Sequence, residues 1–317
     1  MQVYLVDAFT TKRFEGNRAG VVLDADRLSW QEKQQIAAEI GASETAFVSS
    51  SSLADFKVEF FTPSTEVDFC GHATVATFYM LAELGKLRIT NKNCDLTQET
   101  RAGILPVSIS RSGGRTVVTM TQRAPEFAAP ELSQREIAQA LNINENHLDR
   151  RFPIALANTG NWHLMVAVNT KECLDNIKYE SSRLSNILSG TGAITAHVFF
   201  ADSQRLFYAR NFCPTIGIPE DPATGAAAGA FGAYLVREGL LPDEISEIEI
   251  VQGEAMGRPG RIIVRTSVQN GHIEQVQVSG KAELSMTMMM QDFPELGESS
   301  SPALKDTQGS MPSGILH

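Results

Sequence analysis

Two segments of the chain open alike and close alike. "FTPSTEVDFCGHATVATFYMLAELGKL" begins at Phe61, and "FCPTIGIPEDPATGAAAGAFGAYLVREGLL" begins at Phe212. Each starts F-x-P, runs through small residues into an apolar stretch, and stops at a glycine, Gly85 or Gly239, with leucine close behind. A glycine just past the last helical residue is a common helix stop, because it takes left-handed backbone without a steric penalty. Aligned without a gap, Cys70 and Asp221 each stand nine residues after the phenylalanine. A surface helix would carry charges along one face, but "ATVAT" and "ATGAAAGAFGA" carry none. The pattern therefore predicts two similar halves, each with a buried central helix thin enough for strands to pack closely around it. "GNRAGVVL" at Gly16 and "GNWHLMVAV" at Gly160 form a weaker echo, each a turn into a strand.

The remaining chain predicts an α+β fold of short strands and few helices. "VYLVDAF", "AGVVLD", "TAFVSS" and "FKVEFFTP" are β-branched or aromatic and predict strands. "SWQEKQQIAAEIG" predicts a helix with a capping box, Ser29 with Glu32, ended by Gly41. "LSQREIAQALNI" carries a second box, Ser133 with Glu136, and is expected to be the counterpart of the first outer helix. A hairpin is expected at Gly113-Gly114, and further strands in "EIEIVQGEAMGRPGRIIVRTSV" and "HIEQVQVSGKAELSMTM". These assignments divide the chain into an N-terminal half, 1–122, and a C-terminal half, 123–279. A strand near 280–290 is expected to return to the first half. The Ser-, Pro- and Gly-rich stretch 291–317 has no periodicity and is expected to be a mobile tail.

With 317 residues and 43% hydrophobic content, the chain can bury a core of one large domain or two ordinary ones. It has no apolar run long enough to span a membrane. The opening "MQVYLVDAFTTKRF" turns polar too soon for a signal peptide, so a cytoplasmic location is expected. A formal charge of −10 without a long basic run argues against nucleic acid or an anionic membrane as partner. Cys70, Cys94, Cys173 and Cys213 form no C-x-x-C pair, so neither disulfides nor a zinc site is expected. Cys94 and Cys173 are expected to be buried structural thiols.

The first turn of a helix leaves backbone N–H groups without partners, and the macrodipole adds about half a positive charge there. Two such mouths facing one cleft would cradle an anion such as a carboxylate. Gly71, Gly225 and the small residues beside them would let a ligand approach the backbone. Cys70, His72 and Asp221 stand at those mouths. A helix start lowers a thiol pKa, His72 can act as acid, base or donor, and Asp221 before Pro222 fits an N-cap with proline at N1. In "GASETAFVSS", Glu44 lies among Ala42, Ala46 and Phe47. Half-burial there would raise its pKa and suit it to proton shuttling.

"SETAFV", "EVDFCGHATVAT", "NTGNWHLMVAV", "EDPATGAAAGA" and "QGEAMGRPGRIIV", in this order and spacing, resemble the PhzF-like (phenazine biosynthesis PhzF) family from "VDAF" to about "SGKAEL". The resemblance implies a diaminopimelate epimerase-like fold. Two pseudo-symmetric halves each wrap a curved, mostly antiparallel sheet around a central helix, with the active site between them. It implies a homodimer and cofactor-free proton transfer on a small anionic metabolite, with dihydro-hydroxyanthranilate the best-known substrate. Carried onto this chain, it makes Glu44 the general acid/base, with His72 and Asp221 beside it. Cys70, Gly71, Ala73, Thr224, Gly225 and Ala226 become substrate-binding positions. Three features depart from the family. Ala226 stands where it commonly has Ser, Gly16-Asn17-Arg18 replaces the usual G-N-P, and the chain after Gln291 lies outside the likeness.

No P-loop, dinucleotide or metal motif is present, so no cofactor is expected. Two other readings compete. A two-thiol racemase or epimerase needs a cysteine at each mouth. Cys70 supplies one, but Asp221 holds the aligned second position, and Cys213 aligns with Thr62. The other is a metabolite-binding protein that keeps the fold without the chemistry.

Overall fold

The structure is a computed structural model that describes residues 1–87, 89, 93–241 and 245–291. The expected tail lies outside the described residues apart from Gln291. The first strands are β1 (Gln2–Ala8), β2 (Asn17–Val22), β3 (Glu44–Ser49), β4 (Phe56–Phe61), β5 (Glu66–Val67), β6 (Cys94–Thr100), β7 (Gly103–Ser112) and β8 (Arg115–Thr121). They are followed by β9 (Glu126–Ala128), β10 (Ala155–Asn158), β11 (Trp162–Ala167), β12 (Thr195–Ala201), β13 (Leu206–Cys213), β14 (Ile218–Asp221), β15 (Ile245–Gln252), β16 (Gly260–Gln269), β17 (His272–Gly280) and β18 (Ala282–Met289). The helices are α1 (Trp30–Ile40), α2 (Gly71–Glu83), α3 (Gln134–Leu141), α4 (Lys171–Asn176), α5 (Ser181–Thr191) and α6 (Gly225–Arg237).

The strand pairings repeat. β1 is antiparallel to β2, β2 parallel to β3, β3 antiparallel to β4, β4 parallel to β6, and β6–β7–β8 is a meander. The same sequence of pairings runs from β10 through β11, β12 and β13 to β15, then through the meander β15–β16–β17. β8 and β17 pair and join the two sets. β18, which follows the second meander, pairs with β1; β9, which follows the first, pairs with β10. Each set thus takes its outer strand from the segment that follows the other set, and this exchange ties the sets together.

In this scheme α2 is the crossover from β4 to β6, and α6 the crossover from β13 to β15. Both are thirteen residues long. Both end in the same hydrogen-bonded stop, Lys86 N–H to Leu81 C=O and Leu240 N–H to Leu235 C=O, with Gly85 and Gly239 left-handed. α2 is buried from His72 through Phe78, and α6 from Ala227 through Leu235. Burial on all sides is what an uncharged helix requires. At Gly232 a Cβ would lie 2.5 Å from Val264 Cγ1, and at Gly229 it would lie 3.0 Å from Gln122 Cγ. Strands β16 and β17, through Val264 and Val278, therefore approach α6 closely at its glycines. Phe78, Phe199, Phe231 and Tyr234 fill the main core around the two helices.

Three expectations need correction. The helix after Ser133 has its capping box, but it precedes β10. α1 links β2 to β3, so its counterpart is the pair α4–α5 linking β11 to β12. The gapless repeat also fails at its hairpin. Phe61 is opposite Glu66, five residues on, whereas Phe212 is opposite Glu220, eight residues on. The three extra residues lie in a loop that contains the single turn Pro214–Ile216. From Glu66 to Gly71 and from Glu220 to Gly225 is then five residues in each half, so Thr224, not Asp221, is the counterpart of Cys70. Finally, Cys94 and Cys173 are only half-buried, while Cys70 and Cys213 are buried; all four are free thiols. Among the described residues, no helix is long and apolar enough to cross a membrane.

Candidate active site

The mouths of α2 and α6 meet at one side chain. Asn17 opens β2, beside β3, whose first residue is Glu44. Gly16, just before it, has φ 61, and a Cβ there would lie 2.1 Å from the Ala8 carbonyl. Only glycine allows this turn. Its carbonyl accepts from Arg258 Nε at 2.9 Å and its N–H donates to Pro259 at 3.1 Å, which ties the turn to the β15–β16 loop. So held, Asn17 Nδ2 donates to Asp221 Oδ1 at 2.9 Å and to the Ala223 carbonyl at 3.0 Å, and lies 3.2 Å from His72 Nδ1. The two mouths are within one amide's reach of each other.

His72 is the second residue of α2, with its side chain 9% exposed. Its Nε2 lies 3.2 Å from Glu44 Oε2 and 3.2 Å from Ser43 Oγ. Its Nδ1 lies 3.4 Å from Cys70 Sγ. The Glu44 contact is an ion-pair distance without hydrogen-bond alignment, and Oε2 is otherwise buried without a partner. Glu44 Oε2 therefore faces the imidazole at ion-pair distance and makes no hydrogen bond. Asp221 ends β14; Thr224 Oγ1 donates to its Oδ2 in a short contact.

Charge coupling follows from this packing. Burial pushes the Glu44 carboxyl up, but the His72 charge and hydrogen bonding from His72, Ser43 and Cys70 outweigh it, so its pKa lies below the usual value. The expectation of a raised Glu44 is thus reversed by a partner on another element. Burial lowers His72, yet Cys70 and Glu44 together carry it well above its usual value. Cys70 is itself pushed up by burial and by Glu44. Burial thus disfavours the thiolate, and the lowered Glu44 is the carboxylate that faces His72. The expected lowering of Cys70 by the helix start is overturned: burial outweighs the dipole. Asp221 is raised, by burial and Glu44 against the pull of His72, Thr224 and Asn17.

Asp221 is not an N-cap. The N-cap of α6 is Thr224, and Pro222 falls in the turn before it. Neither Thr224 nor Cys70 caps its helix through a side chain. The outer helices differ: α1, α3, α4 and α5 are all capped by side chains, Ser29, Ser133, Thr170 and Glu180. Among the described α-helices, the two central mouths lack this device.

The remaining predicted positions divide. Gly71 opens α2, where a Cβ would meet only Met120 Cε at 3.6 Å, so its outer side is open. At Gly225 a Cβ would lie 3.2 Å from the Phe9 ring, so this glycine admits a side chain of the protein. Ala73 is fully buried in the core. Ala226 is half-buried, and its carbonyl accepts from Thr159. Asn17, Ser43 and Gln252 were not singled out as site residues. Asn17 stood in the Gly16-Asn17-Arg18 turn and Gln252 in "QGEAM", polar residues at strand ends beside glycine, which is the signal that could have found them.

Glu44, Cys70 and His72 offer one S, one N and one O donor within 4.8 Å of one another, a spacing a metal ion could use. In this arrangement the imidazole is engaged by the other two. Cavities of about 490 and 440 Å³ border α3 and the segments around α4 and α5, and one of about 470 Å³ lies between α1 and β18. None of these three includes a residue of the cluster.

Fold and comparisons together define the class: an α+β isomerase built from two like halves. The family described as phenazine biosynthesis-like protein, PhzC-PhzF, matches residues 6–288, and the chain belongs to it. It is 38% identical over 282 residues to an uncharacterized isomerase of Deinococcus radiodurans, covering 87% of this chain and 90% of that one. It is 32% identical over 278 residues to the trans-2,3-dihydro-3-hydroxyanthranilate isomerase of Pseudomonas chlororaphis, covering 87% and 94%. The crystal structure of a PhzF-family phenazine biosynthesis protein from Bacillus anthracis superposes with a TM-score of 0.84 at 34% identity, covering 92% of this chain and 99% of that one.

Proposed function

We propose that the protein moves a proton between two carbons of a small carboxylated metabolite, with Glu44 as the general acid/base and no cofactor. The observation that carries this reading is Glu44 Oε2, buried without a hydrogen bond and 3.2 Å from His72 Nε2. An ionised carboxylate starts the cycle as a base. It takes the proton from one substrate carbon, breaking that C–H bond, and returns it to another, forming the second. His72, charged, stabilises the negative charge that builds up on the substrate between the two transfers. Asp221 and Asn17 hold the ring and the substrate in register. The uncapped amides of α2 and α6 would take the substrate carboxylate, which suits the positive ends of two helices. The cleft would lie between residues 1–122, completed by β18, and residues 123–279.

The two-thiol reading loses support because Thr224 fills the position equivalent to Cys70 and Cys213 is a buried thiol raised well above its usual value. The test is turnover of trans-2,3-dihydro-3-hydroxyanthranilate and related cyclic carboxylates in deuterated water. Deuterium appearing at carbon with wild-type protein, and not with Glu44→Gln, supports the reading. Turnover undiminished in Glu44→Gln refutes it, whether or not the shuttled proton exchanges with solvent.

A further inference from the structure

Behind Asp221 a line of buried polar side chains crosses three neighbouring strands. His163 lies on β11, Thr195 on β12, Asn211 on β13, and Thr224 at the mouth of α6. Exposure of His163 is 1%, of Thr195 2% and of Asn211 0%. Polar groups in such surroundings are costly unless each is hydrogen-bonded, and here the bonds can be given a direction.

The direction follows from counting donors and acceptors. Thr224 Oγ1 faces Asn211 Nδ2 at 3.0 Å and Gln252 Nε2 at 3.0 Å. Gln252 cannot be turned over: its Nε2 also donates to the Asp221 backbone carbonyl at 2.8 Å, and its Oε1 accepts from the Thr224 N–H at 3.3 Å. A hydroxyl has two acceptor lone pairs and one proton. With both lone pairs taken by amides, the Thr224 proton goes to Asp221 Oδ2. One step further back, Thr195 Oγ1 donates to Asn211 Oδ1 at 2.9 Å. Its proton is thereby used, so it accepts from His163 Nδ1 at 2.7 Å. His163 Nε2 has no partner. Burial and the neighbouring His197 push His163 down to about 3, so the ring is neutral with its one proton on Nδ1.

We propose that His163, Thr195 and Asn211 form a one-way hydrogen-bond relay, ending in Thr224, that fixes the Asp221 carboxylate as an acceptor facing Asn17 and His72. They are positioning residues, and their functional meaning rests on the proton-transfer reading of the site. The groups that face Asp221 are His72 from α2, Glu44 from β3, Asn17 from β2, Gln252 from β15, Cys213 from β13, and Glu220 on its own strand, paired with Arg210. The relay reaches the Asp221 side chain from the core of the second set of strands, through the Thr224 hydroxyl. If Thr195 loses its hydroxyl, Asn211 is free to rotate. Its Oδ1 then competes for the Thr224 proton, and Asp221 loses a donor.

The experiment uses the whole chain and no substrate. Long-range 1H–15N NMR of wild-type protein reads the His163 tautomer, and 13C carboxyl NMR of labelled aspartate follows the titration of Asp221. Thr195→Val should raise the Asp221 midpoint by about half a pH unit or more, and Thr195→Ser should leave it in place. A natively folded Thr195→Val with an unmoved midpoint, or a His163 ring unprotonated at Nδ1, overturns the relay. If the valine variant does not fold, the tautomer decides alone. An active Glu44→Gln would overturn the proton-transfer reading and leave these NMR outcomes untouched, so the two failures are distinguishable.

Discussion

Replacing Glu44 by glutamine removes one charge and little volume from a site where the side chains of His72 and Glu44 are 9% and 17% exposed. Two consequences follow. The first is chemical. Loss of a positioned general base slows the transfer about 10²–10⁴-fold, equivalent to about 3–5 kcal/mol of barrier. Ligand binding at the helix mouths should change little, because those amides are untouched. The second is electrostatic. His72 stands well above its usual value only because its partners outweigh burial. With glutamine in place the burial is less opposed, and His72 falls toward or below its usual value. It can then shed its proton, so the stability loss is about 1–3 kcal/mol rather than that of a stranded buried charge. The lowered Glu44 contributes stability that is complete above its unfolded value of about 4.3 and is lost as pH falls through the folded one. The raised His72 contributes stability that is complete below about 6.5 and is lost as pH rises through its folded value. The pair is therefore strongest between those limits, and the stability difference between wild type and variant should peak there. The assays are deuterium incorporation, denaturant unfolding across pH, and NMR titration of the His72 ring. Turnover within about tenfold of wild type refutes the base assignment, and an unmoved His72 midpoint refutes the coupling.

Cys70→Ala should keep turnover within about tenfold, because in the proposed mechanism Glu44, not the thiol, carries the proton; loss of all activity in a steady-state assay would revive the thiol mechanism. Gly280→Ala puts a methyl 2.4 Å from Cδ1 of the buried Phe9 ring and should destabilise the fold by about 1–3 kcal/mol, measured by urea unfolding. Arg258→Met removes one guanidinium from the fully buried Asp7, which keeps Arg18, the Phe14 N–H and Ser285. It should cost about 2–4 kcal/mol. Burial raises Asp7, but Arg18, Ser285 and Phe14 bring it below its usual value. Its contribution is complete above about 3.9 and lost as pH falls, so the variant's unfolding should begin at a higher pH on acid titration.

Several features of the site were legible because they are local. A capping box needs a serine and a glutamate three residues apart, and both predicted boxes formed, at Ser29–Glu32 and Ser133–Glu136. The hairpin at Gly113-Gly114 needs two left-handed residues, and both glycines have positive φ. The central helices were legible as uncharged, small-residue stretches with glycine stops. Misreadings arose where distance along the chain ceased to measure position in space. A three-residue insertion in one hairpin moved Asp221 off the helix mouth it was aligned to. Likewise, matched capping boxes on α1 and α3 hid the fact that connectivity pairs α1 with α4–α5.

The sequence by itself determined the two central helices and the two with capping boxes, that the chain carries a duplicated core, and that Glu44, His72 and Asp221 deserved notice as chemical groups. Only the tertiary structure decided what state those groups are in. Glu44 is lowered because His72 faces it from another element, Cys70 is raised because the core closes over it, and Asn17 joins two helix mouths that lie 154 residues apart in the chain. Local hydrogen bonding and side-chain pattern act over a few residues, and the sequence records them directly. Burial and charge coupling depend on which distant segments meet, and that is settled only when the two sets of strands close around their helices.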